Sequence, residues 1–334
     1  VENKIFITGA SGYIGGRLVE KLVKSGYETV ALSRSGTQKF FSEKGNPVVK
    51  KGDITDFDSL VESMKGCSSV FHLAAHISFN RSEKDLLFKI NTEGTENVFK
   101  AALVNGIKRA VFVSSACVFG ISKKNVTIDE NFGFDESLVF HNLYLASKKK
   151  AEAAAEEYNK KGMDIIIANP VTVFGPGDDS MNSGTIIKAA LSKKIAPVPP
   201  GGTSWVDVDD VASALILLMK NGRKGERYIV SSGNITFYDL FKTICEAGNK
   251  RSFLIKIPDF IKAPAIAATS ALCGLSGFFK YKNKLLTPQI IEDSFSYKYY
   301  SSEKLKKETG WINEYDLRQS VERALKYYKS KGLL

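Results

Sequence analysis

Tryptophan (2), histidine (3), cysteine (4), methionine (4) and proline (9) are all scarce in this 334-residue chain. Cys67, Cys117, Cys245 and Cys273 are scattered and form no ligand-spaced pair. A disulfide framework and a zinc site are therefore both excluded, and no metal is expected. The four read as free thiols in a reducing, cytoplasmic setting. No secretory signal is read, because the first residues lead straight into an apolar strand. Clean membrane spans are lacking too. The uncharged stretch Ala263 to Phe279 is interrupted by Pro264, Thr269, Ser270, Gly274, Ser276 and Gly277. It reads as a buried pocket wall or lid, with a monotopic membrane contact as the alternative. Acidic residues are outnumbered 36 to 47, for a net charge of +11. That excess lies in runs such as Lys148-Lys149-Lys150, Lys160-Lys161 and Lys304 to Lys307, with no basic cluster interleaved with aromatic residues. It reads as a solvated surface and not a nucleic-acid site, though its field favours phosphorylated small molecules.

What is present begins with Ile5-Phe6-Ile7-Thr8-Gly9-Ala10-Ser11-Gly12-Tyr13-Ile14-Gly15-Gly16. An apolar β-favouring run breaks into glycines and resumes with helical spacing at Leu18, Leu22 and Val23. Strand, glycine turn and helix N-terminus form a phosphate cradle, because the first helical N–H groups have no intrahelical partner. Gly9 suits the tight turn, Gly12 a close approach by pyrophosphate, and Gly15 tight packing of helix on strand. Thr8, Ser11, Tyr13 and Ile14 complete the candidate loop. Two residues separate the first two glycines, where the usual fingerprint has one.

Strand and helix signals then alternate. Strands are expected at Glu28–Leu32, Pro47–Lys50, Val70–Ala75, Ala110–Ser115, Asp164–Pro170 and Arg227–Val230. Helices are expected through Leu60 and Met64, over about 86–104, over about 142–161, and over about 314–331. Trp205 to Asp210 reads as a strand entering a helix capped by Asp209 or Asp210. Such alternation predicts an α/β fold, a Rossmann doubly wound parallel sheet with a smaller, mostly helical C-terminal substrate domain. The expected division is residues 1–174, rejoined by 203–232, for the nucleotide. Residues 175–202 and 233–334 would then hold the substrate.

Tyr144-Leu145-Ala146-Ser147-Lys148 places a phenol and an amine one turn apart on a helix. A tyrosine near pH 10 needs about 4 kcal/mol of preference for its anion to work near neutrality. A nearby ammonium and a positive nicotinamide ring are charges that supply it. Val113-Ser114-Ser115-Ala116 should end a strand on the ligand-binding edge, where a hydroxyl can hold a substrate carbonyl.

Glycine loop, strand-end serine and Tyr-x-x-x-Lys, in that order, resemble the extended short-chain dehydrogenase/reductase superfamily, of NAD-dependent epimerase/dehydratase type. Within it the chain is most similar to dihydroflavonol-reductase-like and 3β-hydroxysteroid-dehydrogenase-like proteins. Further matching segments are Gly52-Asp53-Ile54, His72-Leu73-Ala74-Ala75, Asn91-Thr92-Glu93-Gly94-Thr95, Asn169-Pro170 with Val173 to Gly177, and Val206-Asp207-Val208-Asp209-Asp210. The resemblance implies Tyr144 as general acid/base, Lys148 as its partner and ribose ligand, and Ser115 as carbonyl orienter. It also implies that Asp53, Ile54, Leu73, Ala74, Ala75, Asn91, Ser114, Pro170 and Val173 border the cofactor. A homodimer through the helices at about 86–104 and 142–161 is implied on the same ground.

Ser33-Arg34 stands where an NAD site wants a carboxylate, and a guanidinium beside a serine suits a 2′-phosphate. NADP(H) is therefore expected over NAD(H). Pro199 to Trp205 carries no arginine for a sugar diphosphate. The later region is apolar, with Phe253, Leu254, Ile255, Ile257, Phe260, Ile261, Ile266, Leu272, Phe278 and Phe279. Phe79 and His141 are further pocket candidates. The reading is an NADP(H)-dependent reductase or dehydrogenase acting on an apolar carbonyl or alcohol. Its rivals are a nucleotide-sugar epimerase/dehydratase with tightly bound cofactor and a non-catalytic NADP-sensing protein.

Overall fold

The structure, a computed structural model, describes residues 4–36, 47–78, 80–121, 126–133, 142–192, 194–275 and 288–334. Its centre is a seven-stranded sheet. In spatial order the strands are Arg227–Val230, Asp164–Pro170, Arg109–Val113, Ser69–His72, Lys4–Thr8, Glu28–Ser33 and Val48–Lys51. All neighbours pair in parallel. Strand order reverses between Lys4–Thr8 and Ser69–His72, which opens a crevice at the carboxyl ends of those two strands.

Alternate side chains of the central strands feed two separate cores. Ile5, Ile7, Phe71, Val111, Ile166 and Ala168 face Leu18, Leu22, Val211, Leu215 and Leu218, from the helices Tyr13–Lys24 and Val208–Asn221. Phe6, Val30, Val70, Ala110, Phe112, Ile165 and Ile167 face Leu60, Val98, Phe99, Ala151 and Ala155, from three helices on the other side. Burial on both faces explains why the strands read as continuous apolar runs.

The expected helix at 86–104 is interrupted. Lys84–Phe88 and Gly94–Val104 are α-helical, and Lys89–Glu93 between them widens into a π turn that buries Asn91. Strand Ser69–His72 stops three residues short of the expected Ala75. Helix Val208–Asn221 is capped by Asp207, whose carboxylate accepts from the Asp209 amide at 2.8 Å. That corrects the expectation of Asp209 or Asp210. Asp209 instead takes Arg17 and Arg323, while Asp210 accepts from the amides of Glu314 and Tyr315.

A second sheet runs in the order Gly233–Thr236, Gly202–Asp207, Tyr297–Tyr300, Thr127–Ile128, with Thr172–Phe174 also paired to Gly202–Asp207. Helices Gly184–Ser192, Phe237–Ala247 and Leu317–Ser330 bury Ile187, Leu240, Ile244, Val321, Leu325 and Tyr328 beside it. Cys67, Cys117 and Cys245 are free thiols. No helix among the described residues is long and apolar enough to cross a membrane.

Candidate active site

The glycine turn is built by close approaches that a side chain would obstruct. Gly9 has φ +68°, and a Cβ there would sit 2.6 Å from the Ala74 nitrogen. A Cβ on Gly15 would lie 2.1 Å from the Gly9 carbonyl oxygen. The Gly12 amide donates to that same oxygen at 2.9 Å. Gly12 caps the Tyr13–Lys24 helix with no side-chain bond, and the first turn carries no acid. Ser11 and Gly12 are exposed. Open amides at a helix N-terminus, with the dipole unopposed, are the chemistry a pyrophosphate requires, so this cradle fits a dinucleotide. Tyr13 turns away from the turn and donates to the Gly175 carbonyl at 3.2 Å, pinning the loop to the segment after Thr172–Phe174. Ile14 packs on the core.

Thr8 belongs to a directed polar relay. The Thr95 hydroxyl donates to the Asn91 carbonyl at 2.6 Å, so it must accept from His72 Nε2, 2.9 Å away. His72 Nδ1 is then left to accept from the Thr8 hydroxyl at 2.7 Å, and Thr8 in turn accepts from the Ala74 amide at 3.2 Å. Burial, helped by Lys148, pushes His72 down to about 3, which keeps it neutral in this tautomer. Asn91 Nδ2 donates to the Ser147 hydroxyl at 2.9 Å, and Ser147 donates to the Tyr144 carbonyl at 2.7 Å. The relay thus runs from the glycine loop to the Tyr144 helix. In the sequence His72 to Ala75 and Asn91 to Thr95 stand out as separate segments, but nothing there links them to each other.

Ser33 is buried where its strand ends, its hydroxyl 3.2 Å from that of Ser35, and Arg34 stands exposed beside it. Asp53 spends one carboxylate oxygen on the Thr55 amide and hydroxyl, at 2.8 and 2.9 Å. Ile54 is buried against Gly94. Leu73 and Ala74 are half-buried and Ala75 is exposed. Ser114 and Pro170 are buried where their strands end, and Val173 is half-buried.

Helix Leu143–Lys160 starts at Asn142, whose side chain accepts from the Leu145 amide at 3.0 Å. Its first turns bring Tyr144 and Lys148 beside the end of Arg109–Val113. The Tyr144 phenol lies near the Ser115 hydroxyl, close enough for that group to oppose the rise in its pKa. Lys148 is 1% exposed, and its ammonium donates to the Val113 carbonyl at 2.9 Å, 4.8 Å from the Phe112 ring centre. Burial lowers Lys148 to about 8, and Glu152 opposes that fall. Tyr144 departs from expectation in the protein alone: packing around its hydroxyl pushes its pKa up, and only the Ser115 hydroxyl works the other way. The preference for tyrosinate is therefore absent without a cationic ligand.

Glu152 was not anticipated. It is 5% exposed, accepts from Asn169 Nδ2 at 2.7 Å, and lies 3.7 Å from Arg227. Its spacing, one turn beyond Lys148, was the available signal.

Phe253, Ile255 and Phe260, expected to line a pocket, lie exposed instead. Phe79, His141, Phe278 and Phe279 fall outside the described residues. Among the described residues no cluster of metal-binding side chains occurs.

Residues 5–231 match the model of the NAD dependent epimerase/dehydratase family. The chain belongs to that family. It is 33% identical over 237 residues to a putative dihydroflavonol 4-reductase of Synechocystis, covering 69% of this chain and 68% of that protein. Among solved structures, gox2253 superposes with a TM-score of 0.83 at 27% identity, over 99% of both chains. The dTDP-glucose 4,6-dehydratase DesIV of Streptomyces venezuelae, with NAD bound, shares the fold, with a TM-score of 0.74 at 20% identity over 98% of this chain and 97% of its own.

Proposed function

We propose that the protein is an NADP(H)-dependent reductase or dehydrogenase that interconverts a carbonyl and an alcohol on a largely apolar small molecule. The observation that carries this reading is that Tyr144 and Lys148, one turn apart on a helix, meet the end of strand Arg109–Val113 where Ser115 follows, with the Lys148 ammonium on the Val113 carbonyl. Reductase relatives such as the dihydroflavonol 4-reductase of Synechocystis support it.

The bound nicotinamide dinucleotide supplies a hydride donor or acceptor, and its ring is cationic when oxidised. Gly9, Gly12 and Gly15 would admit the pyrophosphate to the open helix N-terminus. Arg34, with Ser33, would take a 2′-phosphate, since a guanidinium is matched to that group and no acid adjoins it. Ser115 would donate to the substrate carbonyl oxygen, and Tyr144 would hold its proton at the same oxygen. With the cationic ring in place, Lys148 would add its charge to the stabilisation of a tyrosinate. A pKa near 8 leaves that lysine largely charged at neutral pH and able to lose the charge in mild alkali. General acid help of this sort is worth about 10²–10⁴ in rate.

The absence of arginine from Pro199 to Trp205 weighs against a nucleotide-sugar substrate. The deciding experiment follows NADPH oxidation across a panel of apolar aldehydes and ketones. Turnover that disappears in Tyr144→Phe supports the proposal. Tightly retained cofactor with no net reduction of any carbonyl would favour an epimerase.

A further inference from the structure

Strands Ile195–Val198 and Phe253–Lys256 form a two-stranded parallel ribbon apart from both larger sheets. Its register sets Phe253 beside Ile195 and Ile255 beside Pro197. Successive residues of a strand point to opposite faces. The inner face, Ala196, Val198 and Leu254, packs on the core built around Leu240 and Ile244. The outer face is wholly apolar and open. Phe253 is 69% exposed, Ile195 58% and Ile255 46%, with Pro197 exposed between them. Beyond the ribbon come Phe260, 79% exposed, and Ile261, leading into helix Lys262–Leu275. That helix leaves Ala263, Pro264, Ala267, Ala268 and Ala271 exposed.

Two cations border this face: Lys194 and Arg251 are exposed where the ribbon begins. Lys250, Lys256 and Lys262 are engaged within the fold, by the Leu191 carbonyl, the Tyr238 ring and Glu292. A second copy meeting this face about a two-fold axis would set the two bordering cations against their equivalents. An anionic surface would instead pair both Lys194 and Arg251, while the apolar side chains left water.

We propose that this face docks on the surface of an anionic lipid bilayer. Phe253, Ile255 and Phe260 enter the interfacial region, and Lys194 and Arg251 engage the headgroups. Surface contact is also the mode open to the described residues, since none of their helices can span. The claim is independent of the reaction the enzyme performs.

Flotation of the full chain with vesicles tests it. Phosphatidylcholine mixed with phosphatidylglycerol should carry the protein, and phosphatidylcholine alone should not. Binding should fall steeply in about 1 M salt, where the Debye length is ~3 Å. Phe253→Ser with Phe260→Ser should lower partition more than about tenfold, because each ring loses its burial in lipid. Lys194→Glu with Arg251→Glu should abolish binding to the anionic vesicles. All four side chains are exposed, so the variants should keep the parent thermal unfolding profile. Failure of the parent to float, or equal flotation by both variants, overturns the proposal. So does a salt-resistant dimer in solution that the phenylalanine variant dissociates while the parent ignores vesicles.

Discussion

Lys148 and Glu152 stand one turn apart on the Leu143–Lys160 helix, both almost fully buried, and each stabilises the other's charge. Burial drives the lysine down to about 8 and the carboxyl up, and the pair opposes both movements. Asn169 and Arg227 hold the carboxylate from the neighbouring strands, so the lysine's counter-charge is fixed and not solvent-borne. Glu152→Gln keeps the shape and removes the charge. Lys148 should then lose its proton at a lower pH. The alkaline limb of the rate profile should move down by about one pH unit, with KM for substrate little changed. Glu152→Asp should restore part of the shift. An unmoved limb would show that the carboxylate serves packing alone.

Tyr144→Phe removes the proton and leaves the ring. Turnover should fall about 10²–10⁴-fold while cofactor affinity stays nearly constant by fluorescence titration. Ser115→Ala deletes the one contact that opposes the rise in the Tyr144 pKa. Its rate loss should therefore be accompanied by a profile displaced to higher pH. Parent-like activity in Tyr144→Phe would remove the phenol from the chemistry.

The sheet was readable because its central strands are buried on both faces, so that apolar runs such as Asp164–Pro170 stand out without alternation. The phenol, the amine and the strand-end serine were readable because their spacing is local. Contacts made across the fold were not. Asp209 and Asp210 were the expected caps, and Asp207, which serves instead, stands only two positions before the first of them. Arg17, Arg323 and the Glu314 amide, all distant in the chain, decide between them. Composition likewise cannot distinguish an apolar pocket wall from an apolar outer face. The side on which Phe253 and Ile255 emerge is set by pairing with Ile195–Val198, more than fifty residues earlier.

Cofactor choice should rest on Arg34, which is exposed beside the buried Ser33 where the second strand of the chain ends. Turnover should be faster with NADPH than with NADH at limiting concentrations. Arg34→Ser should raise KM for NADPH about tenfold or more and leave that for NADH nearly unchanged, since a charge-assisted pair to the 2′-phosphate is lost. A parent enzyme that prefers NADH would refute the assignment.

Acid stability should report His72. Its pKa is about 3 in the folded chain against 6.5 for the free side chain. Between those values the unfolded chain binds more protons, so stability is whole above about pH 6.5 and is lost as pH falls toward 3. The loss attributable to this ring is several kcal/mol by order of magnitude. Urea unfolding across pH 3–7 should show His72→Gln less stable at neutrality, with a flatter dependence below. A parallel pH slope in parent and variant would assign the acid lability to other groups.

Gly15 and Gly16 are adjacent glycines of one helix with opposite tolerance for a methyl group. At Gly15 a Cβ would lie 2.1 Å from the Gly9 carbonyl oxygen and 3.0 Å from the Ala10 Cα, backbone that cannot move without opening the turn. At Gly16 the nearest atom, the Ala10 carbonyl oxygen, is 3.9 Å away, an ordinary contact. Alanine also favours a helix interior over glycine by about 1 kcal/mol. Gly16→Ala should therefore be neutral or slightly stabilising and should bind cofactor like the parent. Gly15→Ala should cost about 1–3 kcal/mol or more through overpacking. It should also weaken cofactor binding, because the displaced turn carries the amides that face the pyrophosphate. Equal melting temperatures and equal cofactor titrations for the two variants would show that Gly15 is not required for the packing of helix on turn.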